Sequence, residues 1–228
     1  MTETFPFSSV FPDFGESAFG DFSRHLRIKV YEKGQIVFHE GSRASGLYFL
    51  LSGHVKLYKT GIDGKQQIVS IAGPGDIMGH RSLFSEGPYR VTASALGSAS
   101  MGIIETEILL PLLKEHAGLT LALLKRLAAD LNAAEDLATN IAQRPVRERL
   151  ARLLLMLQHS FGRRNDEEVS IEIGLSHEEI GEMIGVTRET ATRLLSRFRK
   201  EGLIDIKQRQ VTVLDLSGLS RAAREIKQ

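Results

Sequence analysis

The hydrophobic period of this chain changes near Glu107, and that change limits the folds open to it. Residues 27–106 carry short apolar runs between Gly-centred corners. Tyr48 to Leu51 is one run, Val55, Leu57 and Tyr58 begin the next, and Gln67 to Ala72 is a third. Gly61-Ile62-Asp63-Gly64 and Gly73-Pro74-Gly75-Asp76 read as turns. Turns at roughly 8–12-residue spacing with β-branched runs predict an antiparallel sandwich or barrel. The glycines at 34, 41, 46, 53, 64, 73, 75, 79 and 87 read mostly as corners, where tight reversal is cheap for Gly.

From 107 to 143 the only glycine is Gly118, and the period becomes helical. Leu124, Leu127, Leu131, Ala134, Ala138 and Ile141 are spaced 3-4-3-4-3, which is a heptad seam. One long helix is predicted. Its seam pairs with a copy of itself or packs on its own β domain; the small alanines suit close helix approach and favour the first. Arg144-Pro145 then interrupts the pattern as a hinge or a new helix start. The reading is therefore α+β in three parts: a β domain with an N-terminal extension over 1–106, a dimerisation helix over 107–143, and a second domain over 144–228.

Length and composition narrow the class. The 228 residues are 42% hydrophobic and 25% charged, ordinary values for a globular protein. No apolar run is long enough to span a bilayer, so no membrane partner is expected. Met1 to Gly20 is rich in Phe, Ser and acids and lacks a basic n-region, unlike a signal peptide. Cysteine is absent, which removes disulfides, thiolate metal sites and cysteine nucleophiles and fits a cytoplasmic protein. The net charge of +1 hides an asymmetry. Residues 1–143 carry 13 basic and 15 acidic side chains, whereas 144–228 carry 16 and 13. Within 188–200 the ratio is five to one. Nucleic-acid binding needs such a local patch more than a basic protein, although a solvated helix face gives the same count.

The second domain begins with an amphipathic helix from Val146 to Gln158. A polar loop over Phe161 to Glu168 and a short strand over Val169 to Ile173 follow. Ser176 with Glu179 is a capping box that starts a helix. Ile180 and Ile184 form an i,i+4 apolar pair, and Gly181 sits where a second helix would cross. Gly185 supplies the left-handed turn residue, Val186 plugs the turn, and Thr187 caps the next helix. Two caps, a small residue at the crossing, a Gly turn and a basic second helix in 20 residues describe a helix-turn-helix over 177–196. Gly202 to Leu214 reads as strand, turn, strand, the usual place for a wing.

At about 100° per residue, with Arg188 at 0°, Thr192 falls near 40°, Glu189 near 100° and Arg193 near 140°. Leu194, Phe198, Ala191 and Leu195 fall near 240–340° at the same rise. One face is apolar and the other carries Arg188, Glu189, Thr192 and Arg193. Arg donates a bidentate pair to guanine O6 and N7, and Glu accepts from cytosine N4. Arg197, Arg199 and Lys200 lie further along and suit phosphates, which position without specifying. Thr187, Ser176 and His177, at the two helix starts, complete the candidate contact set.

The stretch Ile180-Gly181-Glu182-Met183-Ile184-Gly185-Val186-Thr187-Arg188-Glu189-Thr190 resembles the signature of the cyclic-AMP receptor protein and fumarate–nitrate regulator family of bacterial transcription factors. With Leu47 to Gly53 and Gly73-Pro74-Gly75-Asp76, the resemblance extends over about 27–214. It implies a cyclic-nucleotide-binding-type β-roll (jelly roll), a long dimer helix and a winged helix-turn-helix. It implies a homodimer on palindromic duplex DNA with half-sites about one helical turn apart, and RNA polymerase as a partner. By matching position, Arg188, Glu189 and Arg193 correspond to the base-reading trio, which implies a TGTGA-like half-site.

The sensor half departs from the cyclic-AMP-binding branch. Where that branch has Gly-Glu, this chain has Gly79-His80, without the ribose carboxylate. Its Arg-Ser or Arg-Thr pair is replaced by Arg90-Val91-Thr92. The Thr-Ser pair of the dimer helix aligns with Ala134-Glu135. An anionic cyclic phosphate needs Arg and N–H donors, and a ribose hydroxyl wants an acceptor. Arg90 suits an anion, but the set Gly79, His80, Arg90, Thr92, Ala134 and Glu135 is incomplete, so another effector, or none, is expected. The absent cysteines remove the cluster-binding branch. None of the seven histidines has tight metal-ligand spacing, and no metal site is expected. A haem held by His80, with Met78 nearby, is one alternative; a constitutively active dimer with a packed roll is another. A sensor whose helix-turn-helix is vestigial or binds protein is a further reading, opposed by the basic face of 188–200. No nucleophile–base–orienter set, P-loop or paired-carboxylate motif points to an enzyme, and Gly73-x-Gly75 is a β corner rather than a dinucleotide fingerprint.

Overall fold

The computed structural model describes residues 24–165 and 168–224. The N-terminal extension lies outside the described residues. The chain forms two compact units, 1–134 and 135–228. The division falls within a helix, nine residues before the end of that helix at Gln143.

The first unit holds two four-stranded sheets. Strands β1 (Arg27–Tyr31), β8 (Ala99–Glu105), β3 (Gly46–Ser52) and β6 (Ile77–Met78) form one, in the order β1-β8-β3-β6. Strands β2 (Ile36–Phe38), β7 (Thr92–Ala95), β4 (Val55–Thr60) and β5 (Gln66–Ala72) form the other, in the order β2-β7-β4-β5. Every pairing is antiparallel. The two sheets enclose a core that takes residues from all eight strands, including Tyr31, Phe38, Tyr48, Leu50, Val55, Ala72, Met78, Ala93 and Met101. The alternation along β3 explains its unbroken Leu47-Tyr48-Phe49-Leu50 run. Tyr48 and Leu50 enter this core, while Leu47 and Phe49 join a second core on the outer face. A strand buried on both faces reads as continuously apolar. Gly46 is not a corner: it lies inside β3, where a Cβ would run into the Ile104 carbonyl.

The outer core is closed by helices, and here the expectation of one helix over 107–143 is corrected. A helix α1 (His80–Phe84) follows β6; α2 (Thr106–Glu115) and α3 (Ala117–Gln143) are separate, broken at His116. Leu109, Leu112 and Leu113 of α2 and Leu119 and Leu123 of α3 all bury against Leu47, Phe49 and Ile104. In one straight helix, Leu112, Leu119 and Leu123 would already lie within about 40° of one another, so the apolar repeat carries no sign of a break. The break is local: His116 leaves the helical backbone range at φ -119° and ψ 84°, and its carbonyl accepts from Leu119 and Thr120 to start the new helix. Beyond Leu123 the seam leaves the core: Leu124 is 49% exposed and Leu131 60%, and Ala134 and Ala138 are also exposed.

The second unit begins after Arg144-Pro145 with α4 (Val146–Phe161), which buries Leu150, Leu153, Leu154 and Leu157. The polar loop expected over Phe161 to Glu168 is also corrected. Gly162–Asn165 is a strand, β9, paired with β10 (Glu168–Ile171). Its sequence, Gly-Arg-Arg-Asn, has no apolar alternation because β9 is an edge strand whose pairing is with the backbone of β10. Helices α5 (His177–Ile184) and α6 (Arg188–Lys200) follow. Strands β11 (Ile204–Lys207) and β12 (Gln210–Val213) form the wing and complete the sheet β11-β12-β10-β9. Helix α7 (Leu216–Ala222) packs on α4.

Candidate nucleic-acid interface

Helix α5 starts where its local chemistry requires. The Ser176 hydroxyl accepts from the Glu179 N–H at 3.1 Å, and the Glu179 carboxylate accepts from the Ser176 N–H at 2.9 Å. Gly185 ends the helix at φ 68°, a left-handed conformation that glycine adopts without a Cβ penalty. Gly181 packs under the turn, where a Cβ would sit 2.9 Å from the Val186 carbonyl oxygen. The Thr187 hydroxyl then accepts from Thr190 N–H and opens α6. Ala191, Leu195 and Phe198 are fully buried, and these three contacts set the rotation of α6 about its axis.

That rotation leaves Arg188, Glu189 and Arg193 exposed. Among the described residues neither Arg188 nor Arg193 pairs with a carboxylate. Hydrogen bonds from its own N–H and from Thr187, with Arg188 beside it, hold the Glu189 carboxyl below the usual carboxylate range. It is therefore an acceptor at neutral pH. Thr192 is half-buried, and its hydroxyl lies 2.9 Å from His177 Nδ1. Those two candidates hold each other, and Ser176 is committed to its cap. A cleft of about 330 Å³ lined by Ser176, His177, Arg188, Gln208 and Arg209 separates the helix-turn-helix from the wing.

The basic last turn of α6 is not bare. Arg197 Nε donates to Glu201 at 2.9 Å, and Arg199 Nε lies 3.1 Å from Asp205. Arg147 of α4 also grips Glu201 through two parallel hydrogen bonds of 3.0 and 2.7 Å. Arg147 first and Arg197 second hold the Glu201 carboxyl below its ordinary value, against the effect of burial. Lys200 is exposed. Arg197 and Arg199 are exposed; the Arg197–Glu201 pair has the i,i+4 spacing that a sequence displays, whereas the Arg147–Glu201 pair joins residues 54 apart and does not show in the sequence.

The sensor candidates are placed differently. Gly79 caps α1 at φ 90°. His80 is 97% buried by its 3% exposure, and its Nε2 lies 2.9 Å from Asp130 of α3. A carboxylate partner puts the ring proton on Nε2, while Nδ1 is buried without a partner. Asp130 also accepts from Arg126 at 3.0 Å, and Arg126 reaches Asp76 in the Gly73-Pro74-Gly75-Asp76 corner. Burial would raise the Asp130 carboxyl, but His80 and Arg126 outweigh it and hold it low. Thr92 is buried and accepts from the Glu40 N–H at 3.0 Å. Arg90, Ala134 and Glu135 are exposed. Inside the roll Tyr89 stacks on Phe38 at 4.1 Å between ring centroids, and its hydroxyl bonds to the backbone of Ser45 and Gly46. Met78 is buried in that same core. Among the described residues no group of three His, Asp or Glu side chains is placed to hold a metal ion, and no helix is long and apolar enough to cross a membrane.

Comparison with known proteins follows the same division. A cyclic nucleotide-binding domain model matches residues 28–116, and a Crp-like helix-turn-helix domain model matches 148–222. A CRP-like cAMP-activated global transcriptional regulator of Mycobacterium tuberculosis is 27% identical over 224 residues, covering 98% of this chain and 100% of that protein. The global nitrogen regulator of a Synechocystis strain is 31% identical over 201 residues, covering 85% of this chain and 87% of that protein. The structure of FixK2 from Bradyrhizobium japonicum superposes with a TM-score of 0.77 at 25% identity, over 86% of this chain and 96% of that one.

Proposed function

Because this chain belongs to the CRP/FNR family of bacterial transcription regulators, DNA-binding proteins rather than enzymes, we propose that it binds a palindromic duplex as a homodimer and reads it with α6. Each copy places α6 in a major groove. Arg188 and Arg193 donate to guanine edges and Glu189 accepts from cytosine, giving a TGTGA-like half-site. The observation that carries this reading is the exposed trio Arg188, Glu189 and Arg193 on a helix locked by buried Ala191, Leu195 and Phe198. The uncovered seam of α3, with Leu131 60% exposed, supports pairing with a second copy. RNA polymerase is the proposed partner on DNA.

The proposed effector is something other than cyclic AMP, or nothing. The Mycobacterium tuberculosis relative is named as cAMP-activated. In this chain, however, the position of the ribose carboxylate is His80, turned to Asp130, and the adenine-contacting pair is Ala134-Glu135. Haem at His80 is disfavoured because Nε2 already bonds to Asp130 and Nδ1 is buried.

Selection from a randomised duplex pool tests the reading. An enriched palindrome of TGTGA-like half-sites is expected; a pool with no enriched palindrome overturns it. On the selected duplex, Arg188→Ala should weaken binding by about 1–3 kcal/mol and relax the preference at one base pair. Cyclic AMP at saturating concentration should leave that affinity unchanged within about twofold, and a larger gain would restore cyclic AMP as the effector. Native mass spectrometry of freshly purified protein should give the dimer mass and, with it, the mass of any retained ligand.

A further inference from the structure

Two of the three phosphate-seeking cations in the last turn of α6 are already matched to carboxylates. Arg197 and Arg199 each hold an acidic side chain, Glu201 and Asp205. Arg197 lies near 180° on the helix wheel, about 40° beyond Arg193, on the flank of the reading face. Its side chain is 66% exposed, against 21% for Arg147, so a phosphate arriving from solvent meets Arg197 first. Arg147 is held from two sides. Its guanidinium lies 4.9 Å from the ring centroid of Phe198, which is fully buried, and its two N–H groups grip Glu201. A planar fork matched to a carboxylate and stacked on an aromatic ring is a fixed arrangement. Glu201 can therefore release Arg197 and remain with Arg147.

We infer that Glu201 is a selectivity residue of the DNA-binding unit: its carboxylate occupies Arg197 in place of a backbone phosphate and, through Arg147, fixes the end of α6 to the start of α4. The inference rests on α6 being the DNA-reading helix. Sequence-independent complexes draw nearly all their affinity from cation–phosphate contacts. A carboxylate on Arg197 removes one such contact and adds a negative charge beside the strand. A sequence-specific complex needs α6 held at one angle, which the Arg147–Glu201 pair supplies. One residue thus weakens indiscriminate binding and supports discriminating binding.

The test compares the full-length wild type with Glu201→Gln and Glu201→Ala on a selected duplex and on a random duplex of equal length, across a salt series. Both variants should bind the random duplex about 3–10-fold more tightly at moderate salt, with a log K against log salt slope steeper by about 0.9, the yield of one added phosphate contact. On the selected duplex both should bind about 3–10-fold more weakly, narrowing the specificity ratio. Glu201→Asp, which keeps the charge, should retain the weak random-duplex binding. Adding Arg197→Ala to Glu201→Gln should remove the gain and the extra slope. A merely structural Glu201 would weaken both duplexes together. Unchanged or weaker random-duplex binding in both variants overturns the inference, while a wild type that binds no selected duplex overturns the assignment of α6 itself.

Discussion

Leu131→Glu is expected to convert a dimer into a monomer and to lower affinity for a full palindrome by about 10²–10⁴-fold, the advantage that linking two half-site contacts gives. The residue stands in the middle of the α3 seam and is 60% exposed, so it belongs to neither buried core of the first unit. Leu124 above it is 49% exposed and Ile141 below it 37%, with the exposed Ala134 and Ala138 between. An apolar stripe of that length on a helix with a 3.5-residue repeat is buried by a second helix. Two copies of the variant would face each other with a pair of desolvated carboxylates, which is costly where no cation answers them. Sedimentation velocity should show the monomer mass, and a titration should show similar affinity for a half palindrome and a full one. The roll should unfold at its wild-type temperature, because Leu119 and Leu123, not Leu131, bury in its core. Asn132→Glu, one position off the seam, should remain a dimer. A Leu131→Glu protein that still sediments as a dimer and binds the full palindrome normally places the pairing surface elsewhere.

What the sequence made legible divides by range. The capping box of Ser176 and Glu179, the Gly185 turn and the Thr187 cap involve residues within a few positions, and each is formed in the folded chain. The two faces of α6 follow from helical period alone, and burial of Ala191, Leu195 and Phe198 agrees with it. The long helix failed at His116 because its period was read from the seam, and the seam begins only after the leucines that bury in the roll. Leu112 and Leu119 are seven apart and Leu119 and Leu123 four, so the apolar repeat runs through the break and gives no sign of it. Strand β9 was illegible because a polar edge strand is specified by its partner β10 rather than by its own side chains.

The sensor half shows the same limit more sharply. Comparison within the family flagged His80 as a departure, but nothing in the sequence indicates where its imidazole goes. Asp130 lies 50 residues away, as Asp76 does from Arg126. The Arg126–Asp130 pair was visible in principle as an i,i+4 helix pair. Its extension to His80 and Asp76 depends on how α3 lies along the roll. The imidazole of His80 is thus engaged by a contact within the chain that joins residues 50 apart, which is why local signals in the sequence reveal the caps and turn of the helix-turn-helix and not the surroundings of His80.

Gly181→Val should cost the second unit about 1–3 kcal/mol or more of stability, the range for overpacking, and reduce specific DNA binding by at least about 100-fold. The turn between α5 and α6 folds back over this residue. Gly181 O accepts from Val186 N at 2.9 Å and from the Gly185 N–H, so the backbone of the turn is fastened to it. An added Cβ would stand 2.9 Å from the Val186 carbonyl oxygen and 3.3 Å from that of Thr187. Both are main-chain atoms, which cannot swing aside as the end of a side chain would. Relief must come from moving α6 relative to α5, and Arg188 is the first residue of α6. Bidentate base contacts tolerate little displacement, so binding should fall further than stability does. Gly181→Ala, which adds the Cβ without branching, should show the same two effects at smaller size. Gly174→Ala is the control within the same unit, because its Cβ would meet Arg209 at an ordinary 3.6 Å. Thermal unfolding and a duplex titration of the three variants check this together. Wild-type affinity in Gly181→Val would mean that the angle between α5 and α6 is not what presents Arg188, Glu189 and Arg193 to the duplex.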